Sequence, residues 1–195
     1  MPRRTPLTAL RDAVATGRDQ YEVQLTSPGL RKLAAYAYVA EQFGYRYAGP
    51  APGSRSMNQP LMTFRRSPEL GELAARTAAR YPDPAGGGPL PGMVEGRGLR
   101  PAKSAAGDVR LIHSRMVVDA CLRYGRRVLK NILVLLVVIA VVLFFPGYTV
   151  RHVLVGAGVW LAFFAVYLIG LGIARLRLAR HRNRLAASGV QWPPP

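Results

Sequence analysis

Two long runs of apolar residues dominate the second half of the chain. Ile132–Phe145 reads ILVLLVVIAVVLFF, with no polar atom in any side chain. Val153–Ala174 reads VLVGAGVWLAFFAVYLIGLGIA and carries no charge. A helix that crosses a bilayer needs roughly 20 apolar residues, because each residue rises about 1.5 Å through about 30 Å of hydrocarbon. The second run satisfies this alone. The first does so if the helix takes 128–147 and Lys130 extends its ammonium to the headgroups. The pattern therefore predicts a transmembrane helical hairpin with spans at 128–147 and 153–174, turning at Pro146–His152.

Upstream, the apolar positions are shorter-ranged. Thr5-Pro6 is an N-cap followed by proline at the first helical position, with Gly17 as a stop. Leu7, Leu10 and Val14 would line that helix. Tyr21–Leu25 alternates as a short strand. Ser27-Pro28 opens a second helix to about Phe43, with Gly44 in the closing position. Tyr45–Tyr47 and Leu61–Phe64 read as strands that could pair. Ser67-Pro68-Glu69 starts a third helix to about Arg80, with Leu70, Leu73, Ala74 and Thr77 facing inward. Residues 1–81 thus predict a small cytoplasmic α+β domain, its core filled by aromatics such as Tyr21, Tyr36, Phe43, Tyr45 and Phe64. Residues 82–108, rich in Gly and Pro, predict a disordered linker. Residues 109–127 predict a juxtamembrane helix, and 175–195 a basic cytoplasmic tail. The expected fold class is mainly α with a small α+β part: a two-helix transmembrane hairpin plus an N-terminal cytoplasmic α+β domain on a flexible linker.

Charge refines this picture. The 195 residues hold 27 Lys+Arg against 10 Asp+Glu, a formal net charge of +17. No acid follows Asp119, whereas ten basic residues do. Nine flank the apolar runs: Arg123, Arg126, Arg127 and Lys130 before the first, and Arg175, Arg177, Arg180, Arg182 and Arg184 after the second. Only Arg151 lies between the runs. By the positive-inside rule both termini are cytoplasmic, in an inner (cytoplasmic) membrane, with anionic headgroups as partners of the flanking arginines. The first seventeen residues hold early arginines but no apolar segment, so they are not read as a secretory signal. Arginine-for-lysine usage with abundant Ala, Gly and Pro matches coding in a GC-rich bacterial genome.

The second run has two faces. Gly158, Ala162, Ala165 and Gly172 lie within about 80° of one another at ~100° per residue, a helix-packing stripe. Trp160, Phe163 and Tyr167 lie across from it and suit lipid. The first span, a second copy or another protein could cover the stripe, the first span being the simplest choice. Neither run holds Asp, Glu, Lys, Arg or His, which argues against an ion or proton pathway within one chain.

Catalytic chemistry is not legible. Cys121 is the lone cysteine, so no disulfide within this chain is possible. His113, His152 and His181 are far apart, Gly86-Gly87-Gly88 lacks the lysine of a phosphate loop, and no nucleophile elbow occurs. No catalytic, cofactor-binding or metal-binding residue is assigned, and no cofactor is expected. Arg65-Arg66 with Arg31 and Lys32 makes only a sparse basic patch, so nucleic acid is a weak expectation. The pattern points to a non-enzymatic membrane anchor or adaptor whose cytoplasmic domain binds a protein partner. A homo-oligomeric membrane-perturbing or pore-forming element is the alternative. A membrane-associated DNA-handling protein, as in plasmid transfer, ranks third.

Overall fold

Helix α1 (Pro6–Thr16) begins where the Thr5 side chain accepts a hydrogen bond from Thr8 N at 3.3 Å, with proline at the first helical position. It ends at Gly17, whose left-handed backbone lets Arg18 N donate to Ala13 O at 3.2 Å. The computed structural model describes residues 5–24, 29–51, 61–144 and 149–189, with 123–129, 131–132, 139 and 142–144 described by backbone alone. Strand β1 (Gln20–Gln24), helix α2 (Leu30–Gln42), strands β2 (Tyr45–Pro50) and β3 (Leu61–Arg66), and helix α3 (Gly71–Arg80) follow. A 3-10 turn at Pro68–Leu70 leads into α3. Two long helices, α4 (Ala106–Phe144) and α5 (Val150–Ala187), complete a mostly helical chain with one small sheet. Leu25, Ser27-Pro28, the turn residues Pro146–Tyr148 and the tail from Val190 lie outside the described residues.

The chain divides into two units, Met1–Met116 and Val117–Pro195. In the first, the sheet order is β1-β3-β2, all antiparallel. The β2–β3 pairing anticipated from sequence is present, with a bulge between Tyr47 and Gly49. β3 is the central strand, so Gln20 and Arg46 both sit opposite Arg65.

The alternation of β1 turns Tyr21 and Val23 inward, and that of β2 turns Tyr45 and Tyr47 inward. Of these, Tyr21 and Tyr47 meet Phe64, which is fully buried. Tyr21 stacks on Phe64 at 5.3 Å, and the Tyr36 ring meets it edge-on at the same distance. Tyr21 also meets Tyr45 edge-on at 5.0 Å. Burying each such ring contributes about 1.5–3 kcal/mol, and each favourable ring pair about 0.5–1.5 more.

The hydroxyls of this cluster are paired. Tyr21 donates to the Tyr36 oxygen at 3.0 Å, and Tyr36 donates onward to Pro6 O at 3.0 Å. Tyr45 Oη lies 2.8 Å from Ala13 O and 2.9 Å from Arg18 O, sharing one hydrogen between the carbonyls that close α1. Burial drives the Tyr21 and Tyr36 hydroxyls well above the ordinary phenol range, which keeps them protonated donors.

The segment after α3 departs from the sequence expectation. Residues 82–105 are ordered within the first unit, not a disordered tether. Met93 bridges Pro101, Val94 N donates to Arg100 O at 2.8 Å, and Ala102 N donates to Gly92 O at 2.9 Å. Pro84, Leu90, Pro91, Met93 and Ala105 are buried. Few apolar residues suffice here, because the prolines reduce the entropy that ordering costs. Gly92 sits against Tyr38 with φ of 69°, and a Cβ there would lie 2.5 Å from Tyr38 Cε1 and 3.0 Å from Ala105 Cβ. The expected juxtamembrane helix and first span are likewise one unbroken helix, α4. Its opening turns belong to the first unit, burying Val109, Ile112 and Met116 at helical spacing.

Two consequences are measurable. Tyr36→Phe leaves the Tyr21 hydroxyl without an acceptor and should cost about 1–3 kcal/mol, whereas adding Tyr21→Phe should cost little more. Denaturant unfolding followed by tyrosine circular dichroism gives both values, and an additive double variant would refute the coupling. Gly92→Ala should speed amide exchange at Val94 and Ala102 while the β1–β3 amides stay protected. Unchanged exchange at both would show that the close approach to Tyr38 is not what holds the segment.

Candidate functional site: the exposed apolar helix and its arginine end

Helix α5 starts at Thr149, whose side chain accepts from His152 N at 3.4 Å. It runs 38 residues, or about 57 Å at 1.5 Å per residue, nearly twice a hydrocarbon core. The mean hydropathy of its most apolar stretch is 2.2, and none of that stretch is buried within the chain. A core helix of a soluble protein would be covered, so this helix is long, apolar and exposed enough to cross a membrane. It is the one such helix among the described residues. The first apolar run falls partly on α4 residues described by backbone alone, so a second span is not established. Its described members Leu133, Val134, Leu136, Val137 and Val141 are exposed.

The packing face of α5 differs from expectation. Gly158, Ala162, Ala165 and Gly172 are all exposed. A Cβ at Gly158 or Gly172 would meet nothing within 4 Å. The covered positions instead recur at Gly156, Trp160, Phe164, Tyr167, Gly170, Leu171, Ala174, Leu178, His181 and Leu185. Trp160 stacks on Phe164 at 5.0 Å, and Phe164 meets Tyr167 at 6.1 Å. The aromatic ridge, with its larger contact area, thus takes the sheltered side, and only Phe163 of the three residues assigned to lipid is well exposed, at 55%. Within this second unit α5 returns alongside α4, since Arg177 lies near enough to Cys121 to act on it. Burial raises the Cys121 thiol and the Arg177 charge partly offsets this, which keeps the thiol protonated.

Arg175, Arg177, Arg180, Arg182 and Arg184 are all exposed on the last turns of α5, and Lys130 is exposed on α4. None of the ion pairs among the described residues involves them. Nothing is described of the side chains of Arg123, Arg126 and Arg127.

The smaller candidates behave differently. Arg65 and Arg66 are exposed at the end of β3 beside Tyr45, which follows the C-terminus of α2. Arg31 and Lys32 are exposed at the other end of that helix, about 18 Å away at 1.5 Å per residue. The anticipated basic patch is therefore split. Among the described residues no three His, Cys, Asp or Glu side chains assemble as metal ligands.

Sequence reading missed one charged pair. Glu41 of α2 lies 3.9 Å from Arg115 of α4, and both are about four-fifths covered, with side-chain exposures of 21% and 20%. Burial raises the Glu41 carboxyl, opposed by Arg115 and Arg46 and assisted by Asp108. Only the nearby apolar pattern of Val109, Ile112 and Met116 could have hinted at this contact.

Compared with known proteins, the chain matches no protein family, no curated protein and no solved structure.

Because Glu41 is raised in the fold above its usual 4.5, the folded state binds its proton more readily than the unfolded chain. The charged carboxylate therefore costs stability at neutral pH, and stability should rise as pH falls through the window just above 4.5. Glu41→Gln should flatten that rise in urea midpoints. A wild-type slope in the variant would show that another group governs it.

Proposed function

We propose that this protein is a non-catalytic membrane anchor or adaptor: a cytoplasmic α+β unit fixed to an inner membrane by α4 and α5 as a two-span hairpin. The observation that carries the reading is the exposed apolar belt of α5, ending on five exposed arginines. Such a belt on one chain exceeds what water tolerates and matches lipid. The spans are 128–147 and 153–174, and the arginine bias holds both termini in the cytoplasm. The exposed apolar residues of α4 support the 128–147 span.

A second reading, a homo-oligomeric membrane element, is favoured by one feature. The Gly158–Ala162–Ala165–Gly172 stripe is open on the single chain, and small residues let a neighbouring helix approach closely.

One preparation decides between them. The tagged chain is extracted from its native membranes in mild detergent, beside a variant lacking residues 1–105. The expected result is a stoichiometric protein partner with the full chain, lost in the truncation while the truncated helices stay in the carbonate-resistant membrane fraction. Recovery of this chain alone, at a mass of several copies that Gly158→Leu reduces to one, would establish the oligomeric reading. Recovery in the soluble fraction would overturn both.

A further inference from the structure

We infer that Arg177, Arg180 and Arg184 form a recognition stripe for a lipid whose headgroup carries two phosphates. This rests on the membrane reading above. The apolar stretch of α5 ends at Ala174, and the helix continues unbroken to Ala187. At 1.5 Å per residue the three arginines start roughly 4.5, 9 and 15 Å beyond Ala174, while a headgroup layer is roughly 5–7 Å deep. Backbone position alone would leave Arg184 above the lipid. Helical side chains, however, lean toward the N-terminus of their helix, and in α5 that direction is the bilayer. Arg180 and Arg184 therefore reach back toward the headgroups, and Arg177 already lies among them.

Their placement around the helix adds a second constraint. At ~100° per residue the three fall within about 60° of one another, about a third of a turn from the covered Leu178 and Leu185. Directly below them, on the same side, lie Ile173, Ile169 and Val166, exposed by 48%, 65% and 67%. One side of α5 thus presents a cationic head above an apolar track. That is the profile of an anionic lipid; a nucleic acid or soluble polyanion would have no use for the track. One phosphate engages one neighbouring arginine pair through bidentate guanidinium bonds. Two linked phosphates engage all three arginines, and none of the three is held in an ion pair recorded among the described residues.

The test uses the full chain in bilayer discs of zwitterionic lipid doped with either cardiolipin, which has two phosphates, or twice as much phosphatidylglycerol, which has one. Retained lipid is read by native mass spectrometry. The expected result is one cardiolipin per chain, retained roughly tenfold over phosphatidylglycerol at equal phosphate. The Arg177→Gln/Arg180→Gln/Arg184→Gln variant should lose that preference, and Arg175→Gln/Arg182→Gln should keep it. Equal retention of the two lipids, retention unchanged in the triple variant, or tighter binding of an RNA oligonucleotide than of cardiolipin would each overturn the inference. Carbonate extraction of the same samples separates the two failures. Release into solution sinks the membrane reading itself, whereas a pelleted chain without lipid preference sinks only this stripe.

Discussion

The first unit depends on the burial of Phe64 among hydrogen-bonded tyrosines. A core this small cannot exclude water with aliphatic residues alone, and three tyrosine rings around one phenyl, with Tyr45 against Tyr21, supply the needed area. Each tyrosine brings a hydroxyl that would cost free energy if buried unpaired. The fold answers by ending chain segments at those hydroxyls. Tyr36 closes on Pro6 at the start of α1, and Tyr45 closes on Ala13 and Arg18 at its end. Packing of the sheet and placement of the first helix are therefore one constraint, not two.

The second unit exposes apolar surface of the kind that lipid covers. α5 exposes Val, Leu, Ile and Phe along its apolar stretch, as α4 does at Leu133, Val134, Leu136, Val137, Val138 and Val141, while helical backbone groups are satisfied internally. The covered side of α5 carries Trp160, Phe164 and Tyr167, while Gly158, Ala162, Ala165 and Gly172 stay open among exposed Val, Leu, Ile and Phe163. That open surface stays available to acyl chains or to another helix.

Much of the first unit was legible in local sequence. The Thr5-Pro6 start, the Gly17 stop and the alternation of Tyr45 with Tyr47 report local steric and capping preferences that tertiary context did not override. The position of β3 was less legible, since strand order is a property of the whole sheet. A signal existed in Met62, Thr63 and Phe64, a run buried on both faces as a central strand requires. Composition misled at residues 82–105, where glycine and proline suggested disorder. A few anchors, Leu90, Met93 and Ala105, hold that segment through close approach to Tyr38, which composition does not record. Likewise, helical spacing puts Gly158 and Ala162 on one face of α5 but cannot say which face turns inward.

The opening turns of α4 belong to the first unit. Val109, Ile112 and Met116 are buried there, and Arg115 lies 3.9 Å from Glu41 of α2. Burial raises the Glu41 carboxyl while the Arg115 charge opposes it, so the pair is held at a cost that the surrounding apolar contacts offset. Gly92 lies close to both Tyr38 of α2 and Ala105 just before α4. The segment 82–105 and the first turns of α4 therefore close on the same helix, and each limits how the other can pack.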